Sequence, residues 1–186
     1  MSPVQARSTQ AVADIMSAAR NRFGDVGYEA ASIDDIAADA VRTKGSVYHH
    51  FTDKQDLFQQ VFTAEQRHIA STVAQAGDLL GGVAAYLRTI ASAPDSARIT
   101  LIDAPVVLGW AAWRTCDDGP FRSMLRASLS THDGLGDRYD LDQLTDLLLG
   151  AITEAAMHVA SSSNPRRAAA SYTAQLQHLL TAIIAH

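Results

Sequence analysis

The segment TKGSVYHHF, at positions 43–51, brings small, basic and ring side chains together within little more than two helical turns. Hydroxyl and ammonium groups can donate hydrogen bonds to DNA base edges or phosphates, and ring side chains can do so at the wall of a groove. A glycine among them allows a helix to approach the DNA closely. The candidate contact residues in this segment are Thr43, Lys44, Gly45, Ser46, Tyr48 and His49.

Three further polar side chains flank the segment. Lys54 stands at the start of the next predicted helix, where free backbone N–H groups and the positive end of the helix dipole favour a bound phosphate. Arg42, immediately before the segment, can extend outward to a phosphate. Ser32, at the start of the preceding helix, is the third candidate for DNA contact.

The elements that position these residues are helices. Apolar residues recur at spacings of three and four, and no long alternating pattern of β-branched residues indicates a strand, so the predicted fold class is all-α. A first helix carries an apolar stripe from Val12 to Phe23 and is expected to end at Gly24 and Gly27.

Capping patterns divide the next part of the chain. Ser32 with Asp35 has the spacing of a capping box for a short second helix, and Thr43 can cap a short third helix. Thr52 with Gln55 repeats the capping-box spacing before a long fourth helix. Two short helices joined by a tight turn form a helix-turn-helix, which lays its second helix in the DNA major groove.

The second half of the chain continues the helical pattern and predicts an all-α fold of about nine helices. The predicted helices are 79–93, 96–116 with an interruption at Pro105, 119–131, 141–162 and 166–185, with a loop at 131–140. The last two are apolar on more than one face and need cover. We expect a DNA-binding domain at residues 1–53 and an effector-binding and dimerisation domain at 54–186.

Composition excludes several classes of protein. A chain of 186 residues with 47% hydrophobic content can bury a substantial core. Its single cysteine, its polar N-terminus and the lack of a long apolar run predict a cytoplasmic protein. The net charge is −5, and six Lys and Arg against eight Asp and Glu through Asp56 give −2 for the first domain. Any DNA contact must therefore be local and depend on dimerisation.

The first part of the chain resembles the TetR family of bacterial transcriptional repressors. The resemblance runs from about Ala18 to Phe62 through AARNRFGDVGYEAASIDDIAADA and TKGSVYHHFTDKQDLF. The signature positions are Phe23, Gly27, Tyr28, Ile36, Ala37, Gly45, Tyr48, Phe51, Lys54 and Leu57. The resemblance implies a homodimer joined through the last two helices, which binds a palindromic double-stranded DNA operator and is released by a small-molecule effector.

One position departs from the family pattern. The family usually has glycine, or another residue tolerant of positive φ, followed by valine in the turn between the two short helices, whereas this chain has Val41 and then Arg42. A β-branched residue is poorly suited to a left-handed conformation. Either Val41 turns inward on a shifted backbone, or Arg42 extends outward to a phosphate; we prefer the second.

The effector is expected to be an apolar or aromatic small molecule. Pro105 should bend the central helix and leave room beside it. The candidate ligand residues are Asp103, Trp110, Trp113, Phe121, Glu154, Met157 and His158. For the rings, plain core packing is an equal alternative, and for the pair Glu154 and His158 an ordinary surface pair on one helix face is the stronger alternative to a metal or ligand contact.

The sequence also allows two other functions. One is a DNA-binding protein of the same fold without an effector, and the other is a small helical enzyme or carrier that uses the pocket around Trp110. No nucleophile elbow, phosphate-binding glycine loop or zinc-ligand helix motif occurs, so no catalytic residue, metal site or cofactor is predicted. The adjacent His49 and His50 point to different sides of a helix, which disfavours a metal.

Overall fold

A computed structural model describes the backbone of residues 3–185 and the side chains of these residues except 3, 4, 6 and 116–118. Every regular element in this range is a helix, which confirms the all-α prediction. The helices are α1 (Pro3–Ala30), α2 (Ile33–Asp39), α3 (Lys44–His50), α4 (Lys54–Ala74), α5 (Leu79–Ser92), α6 (Pro94–Ala97), a π-helical segment (Arg98–Asp103), α7 (Ala104–Val107), α8 (Trp110–Leu129), α9 (Leu135–Arg138), α10 (Leu141–Ala160) and α11 (Pro165–Ala185). None of these helices has the length and apolar character that a membrane span requires.

The helices α1 to α4 enclose a core of aromatic and branched side chains. Ile15, Ala19 and Phe23 of the predicted α1 stripe are fully buried. The other large core side chains of this part are Ile36, Val47, Phe51, Leu57, Phe58 and Phe62. Each such side chain contributes about 1.5–3 kcal/mol when fully buried, so this core holds the two short helices firmly against α1 and α4.

Helix α1 continues past Gly24 and kinks at Gly27, so the expected end at Gly24 is wrong. A Cβ at Gly24 would lie 2.7 Å from the Cβ of Asp95, which shows that this glycine allows α6 to pack closely on a continuous helix. Gly27 has φ 83° and ψ 167°, a conformation that is almost confined to glycine. The two glycines therefore serve different purposes.

The start of α4 is capped by a different residue from the predicted one. Asp53 is the N-cap, and its carboxylate accepts a hydrogen bond from the Asp56 N–H at 2.8 Å. The Asp56 carboxylate accepts in turn from the Thr52 N–H at 2.8 Å. The predicted Thr52–Gln55 capping box is therefore wrong by one residue, because the carboxylates of Asp53 and Asp56 accept from the free backbone amides. The Gln55 side-chain amide donates instead to the Val107 carbonyl of α7.

The middle of the chain is interrupted downstream of the predicted place. Pro105 is the second residue of α7, which continues the helical backbone of the π-helical segment, so the chain does not stop at this proline. The chain breaks instead at Gly109, with φ 80°, and α8 then runs without a break through Gly119 and Pro120. The separate helix predicted at 119–131 is therefore the second half of α8.

The bounds of the two C-terminal helices, α10 and α11, agree with the predicted bounds to within two residues. Helix α11 packs along α5 and α10, and α10 also packs on α8. Leu176 and Leu180 of α11 are buried within the protomer, whereas Leu147 of α10 and Leu179 of α11 are 73% and 56% exposed. The predicted loop before them contains the short helix α9, which is fixed by the fully buried Leu135.

Candidate DNA-binding surface and ligand cavity

Capping side chains begin both short helices of the helix-turn-helix. The Ser32 hydroxyl accepts from the Asp35 N–H at 3.1 Å and donates to the Asp35 carboxylate at 2.7 Å. The Thr43 hydroxyl accepts from the Ser46 N–H at 3.1 Å, as its position predicts. Val47 is fully buried and anchors α3 in the core. The hydroxyls of Ser32 and Thr43 thus hold the helix starts in place at the surface where DNA contact is expected.

The turn between α2 and α3 places its valine outward. Val41 has φ 53° and is 88% exposed, so the alternative in which it turns inward is wrong. The Val41 N–H donates to the Ala38 carbonyl at 3.0 Å, and the Arg42 N–H donates to the Ala37 carbonyl at 2.9 Å. These two hydrogen bonds close the end of α2 and offset a strain of about 1–3 kcal/mol for a β-branched residue in this conformation.

Arg42 ties the turn to α1. Its guanidinium donates to the Asp14 carboxylate at 2.6 Å, and this hydrogen bond, followed by one from Gln10, holds the pKa of Asp14 below its usual value. A guanidinium carries five N–H donors, so the contact with Asp14 leaves capacity for a phosphate. The arginine is thereby preorganised beside the turn.

The outer face of α3 is open to solvent. Thr43, Lys44, Gly45, Tyr48 and His49 are exposed, and Ser46 is half-buried. The Lys44 ammonium donates to the Asp34 carboxylate of α2 at 2.9 Å, and this contact raises the pKa of Lys44. Exposed ion pairs of this kind contribute little to stability, so Lys44 can exchange its partner at small cost.

Lys54 occupies a more enclosed position than the sequence suggests. Its ammonium donates to the carbonyls of Tyr28 at 2.8 Å and Ala31 at 3.0 Å, and it lies 4.2 Å from the centre of the Tyr28 ring. The lysine therefore fastens the start of α4 to the end of α1. The ammonium group that is expected to contact a phosphate therefore already donates to two backbone carbonyls.

A cavity of about 350 Å³ lies between four helices of the C-terminal half. Its walls come from the end of α4, the first half of α5, the second half of α8 and the middle of α10. The described lining residues are Val73, Ala74, Gly77, Asp78, Leu79, Gly82, Val83, Tyr86, Phe121, Met124, Leu125, Ala127, Ser128, Leu149, Ile152 and Thr153. The Tyr86 and Phe121 rings meet in its wall with centroids 5.3 Å apart.

The structure does not bring the seven predicted ligand residues around this cavity. Of the seven, Phe121 is the one among its described lining residues. Trp113 is fully buried and donates from Nε1 to the Thr100 carbonyl at 2.9 Å, which makes it a core residue. Trp110 lies against it, with ring centroids 4.9 Å apart, and is 59% exposed. Trp113 therefore belongs to the core, which is the alternative left open above for the rings.

The polar residues predicted on α10 lie on its outer surface. Glu154 and His158 are 3.1 Å apart with side chains 68% and 58% exposed, which is the ordinary surface pair left open above. The His158 ring stacks on Tyr172 of α11 at 5.7 Å. Met157 is half-buried against the core and is not among the described cavity residues.

Asp103, the remaining predicted ligand residue, joins the two halves of the molecule. Its carboxylate accepts from the Tyr28 N–H at 2.9 Å, directly after the kink of α1. The Arg98 guanidinium, one helical turn earlier in the π-helical segment, donates to the Asp25 carbonyl at 3.1 Å. A Cβ at Gly27 would lie 3.4 Å from Asp103 and 3.6 Å from Arg98. These two side chains hold the kinked end of α1, and we refer to the pair as the α1 clamp.

The cavity and the α1 clamp could not be found by local spacing. The cavity residues come from four helices and one connecting loop that are distant in sequence, and most of them resemble ordinary core positions. An aspartate two positions before a proline, as at Asp103, gives no indication of its partner 75 positions earlier. Within the part of the chain that the structure describes, no group of three or more His, Cys, Asp or Glu side chains is arranged to hold a metal ion.

Comparison with known proteins gives two family matches. Residues 15–61 match the model described as bacterial regulatory proteins, tetR family, and residues 76–183 match the model described as tetracyclin repressor-like, C-terminal domain. The second match alone covers more than half of the chain.

Individual relatives agree with these matches. The chain is 28% identical over 153 residues to the Transposon Tn10 TetC protein of Escherichia coli, with 77% of each chain covered. It is 31% identical over 64 residues, 34% of each chain, to the HTH-type transcriptional repressor AcnR of Corynebacterium diphtheriae. The crystal structure of a TetR-family transcriptional regulator from Pectobacterium atrosepticum is 27% identical and covers 100% of this chain and 99% of its own, with a TM-score of 0.69. A transcriptional regulator from Rhodococcus sp. Rha1, 18% identical with a TM-score of 0.71 over 92% and 96% of the chains, shares the fold.

Proposed function

Because the chain belongs to the TetR family of bacterial regulatory proteins and is a DNA-binding transcriptional regulator, we propose that it represses transcription as a homodimer on a palindromic operator. We further propose that a small molecule bound in the C-terminal half releases it, and that it has no enzymatic activity. The observation that carries the proposal is the presentation of α3, whose N-terminal turn is capped, anchored from behind by Val47 and open to solvent in front.

The proposed DNA contacts divide into base readers and phosphate contacts. Lys44, Ser46 and Tyr48 lie on the solvent side of α3 and reach base edges in the major groove. Arg42 and Lys54, with the hydroxyls of Ser32 and Thr43, meet phosphates on either side of the groove, and Gly45 and His49 line its wall. For Lys44 to reach the DNA, its ion pair with Asp34 must break. The lysine then exchanges the Asp34 carboxylate for the DNA as its partner.

An operator selected from random duplexes tests this division. Lys44→Ala and Ser46→Ala should weaken binding and change sequence preference. Lys54→Ala should weaken all duplexes alike and lower the slope of log K against log salt by about 1. Since Lys54 also fastens α4 to α1, the thermal unfolding of the Lys54→Ala variant must be measured together with its DNA affinity. A selected operator that all three variants bind as tightly as the wild type would contradict the proposal.

The proposed dimer joins α10 and α11 of one protomer to the same helices of another. The exposed Leu147 and Leu179 offer apolar surface on these helices, whereas Leu176 and Leu180 are already used inside the protomer. In the DNA-bound dimer the two copies of α3 should lie about 34–36 Å apart, one turn of the double helix.

Charged substitutions on these helices test the interface. Leu147→Glu and Leu179→Glu should each convert a dimer to a monomer in sedimentation at micromolar concentration. The control is Val106→Glu, which changes an apolar side chain that is 79% exposed on α7 and should leave the dimer intact. A monomeric wild type, or a dimer unaffected by both leucine variants, would refute this interface.

The proposed release mechanism uses α4 and the α1 clamp. Helix α4 runs from Lys54, beside the helix-turn-helix, to Val73 and Ala74 in the cavity wall, and its 21 residues span about 30 Å. A guest that prefers a cavity shape incompatible with the operator spacing of α3 lowers DNA affinity by the amount of that preference. Asp103 and Arg98 provide a second connection, because they fix the end of α1 on which the short helices pack.

A further inference from the structure

The walls of the cavity restrict the charge of any molecule it binds. Of the described lining residues, Asp78 alone is charged; it is exposed, and its carboxylate accepts from the Gly81 N–H at 2.6 Å as the cap of α5. None of the described lining residues is a lysine, arginine or histidine. A carboxylate or phosphate in this cavity would lose its hydration without gaining a cationic partner, and it would also face the Asp78 carboxylate. The cavity is therefore unsuited to an anionic guest.

Thr153 offers a guest a hydroxyl in a wall that is otherwise largely apolar. Thr153 is 4% exposed and lines the cavity, and its hydroxyl forms no hydrogen bond with another described residue. Thr145, two turns earlier on the same helix, shows the contrast, because its buried hydroxyl donates to the Leu141 carbonyl at 2.6 Å. The Thr153 hydroxyl therefore keeps its hydrogen-bonding capacity for an atom of a bound ligand.

The volume sets an approximate size. At about 350 Å³ the cavity is a little more than twice as large as the roughly 150 Å³ that suffices for one benzene molecule in an apolar site. The ring pair of Tyr86 and Phe121 and the flexible thioether of Met124 favour a flat apolar guest, because aromatic rings stack on such surfaces and methionine adapts to their shape.

Building on the effector function proposed above, we propose that this cavity selects a neutral, mainly apolar molecule about the size of two fused rings, with one hydroxyl or carbonyl group that bonds to Thr153. Carboxylates and phosphates are disfavoured by the absence of a cationic side chain among the described lining residues. Thr153 is more deeply buried than Ser128, the other aliphatic hydroxyl residue of the described wall, so the polar substituent of the guest is assigned to Thr153.

Two isosteric probes test the charge preference directly. 2-Naphthalenemethanol and 2-naphthoate have the same ring and differ in charge, and their binding to the full-length protein can be compared by isothermal titration calorimetry at pH 7. We expect the alcohol to bind about 100-fold more tightly than the carboxylate. Met124→Lys introduces a cation on a flexible side chain in the wall and should raise the affinity for 2-naphthoate about tenfold.

Two matched threonine variants test the polar contact. Thr153→Val keeps the shape of the side chain and should weaken 2-naphthalenemethanol about fivefold while leaving naphthalene, which has no hydroxyl, unchanged. Thr145→Val, on the same helix but outside the described cavity wall, is the control and should leave the affinity for both probes unchanged.

The results separate the ligand class from the regulatory role. Tighter or equal binding of 2-naphthoate by the wild type, or no binding of either the alcohol or naphthalene, overturns the proposed ligand class. If the alcohol binds with the predicted effects of the variants but leaves a labelled operator duplex bound in fluorescence anisotropy, the ligand class stands and its role as an effector fails. Loss of operator binding in the Lys44 variant is independent of both results.

Discussion

Replacement of Gly27 by alanine should destabilise the protein by an amount that follows from its backbone. The residue has φ 83° and ψ 167°, a region that costs a side-chain-bearing residue about 1–3 kcal/mol. A Cβ there would lie 3.4 Å from the nearest Asp103 oxygen, an ordinary contact distance, so little steric cost is added to the strain. For a chain of this size, a loss of about 1–3 kcal/mol corresponds to a decrease in the unfolding midpoint of roughly 2–12 °C.

Urea and thermal unfolding at one fixed protein concentration measure this loss, since dimerisation makes stability depend on concentration. Gly119→Ala is the matched control. Gly119 lies inside α8 with open space around its Cα, so alanine there should stabilise the protein by about 0.5–1 kcal/mol. If Gly27→Ala unfolded at the wild-type midpoint, the strained kink and its role in placing the α1 clamp would be refuted.

Three further predictions address the clamp, the helix cap and the turn. Asp103→Ala removes a charged acceptor from a backbone amide and should cost about 1–3 kcal/mol in urea unfolding, with Asp103→Asn intermediate; a loss below about 0.5 kcal/mol would contradict the clamp. Asp53→Ala should cost about 1 kcal/mol through loss of the α4 cap, whereas Thr52→Ala should change stability by less than about 0.5 kcal/mol, and the reverse order would restore the capping box rejected above. Because Arg42 lowers the pKa of folded Asp14, the carboxylate stabilises the fold above its ordinary pKa of 3.8 and this contribution is lost as pH falls below that value. The stability difference between the wild type and Asp14→Asn should therefore be present at pH 7 and disappear in acid, and a difference that is unchanged at low pH would argue against this ion pair.

Much of the DNA-binding half could be predicted from sequence because its determinants are local. A helix stripe, a capping hydroxyl three residues before a free amide, and a short turn are all set by neighbours in the chain, and Ser32, Thr43 and the α1 stripe lie as predicted. Two expectations in this half are wrong. Asp53 replaces the adjacent Thr52 as the cap of α4, which is a competition between neighbouring residues. Helix α1 continues past Gly24, where the distant helix α6 packs closely against it.

The amino-acid sequence by itself determined the helical class, the order of the main helices and the residues offered on the outer face of α3, because periodicity and capping act within a few residues. The tertiary structure alone decided which rings form core and which line a cavity. Trp113 and Phe121 are both aromatic residues of α8. The Trp113 ring is fully buried and its N–H donates to the Thr100 carbonyl, whereas Phe121 lines the cavity between four helices. It also decided that Asp103 meets the end of α1, 75 positions away, since a carboxylate acquires its partner only when distant helices pack.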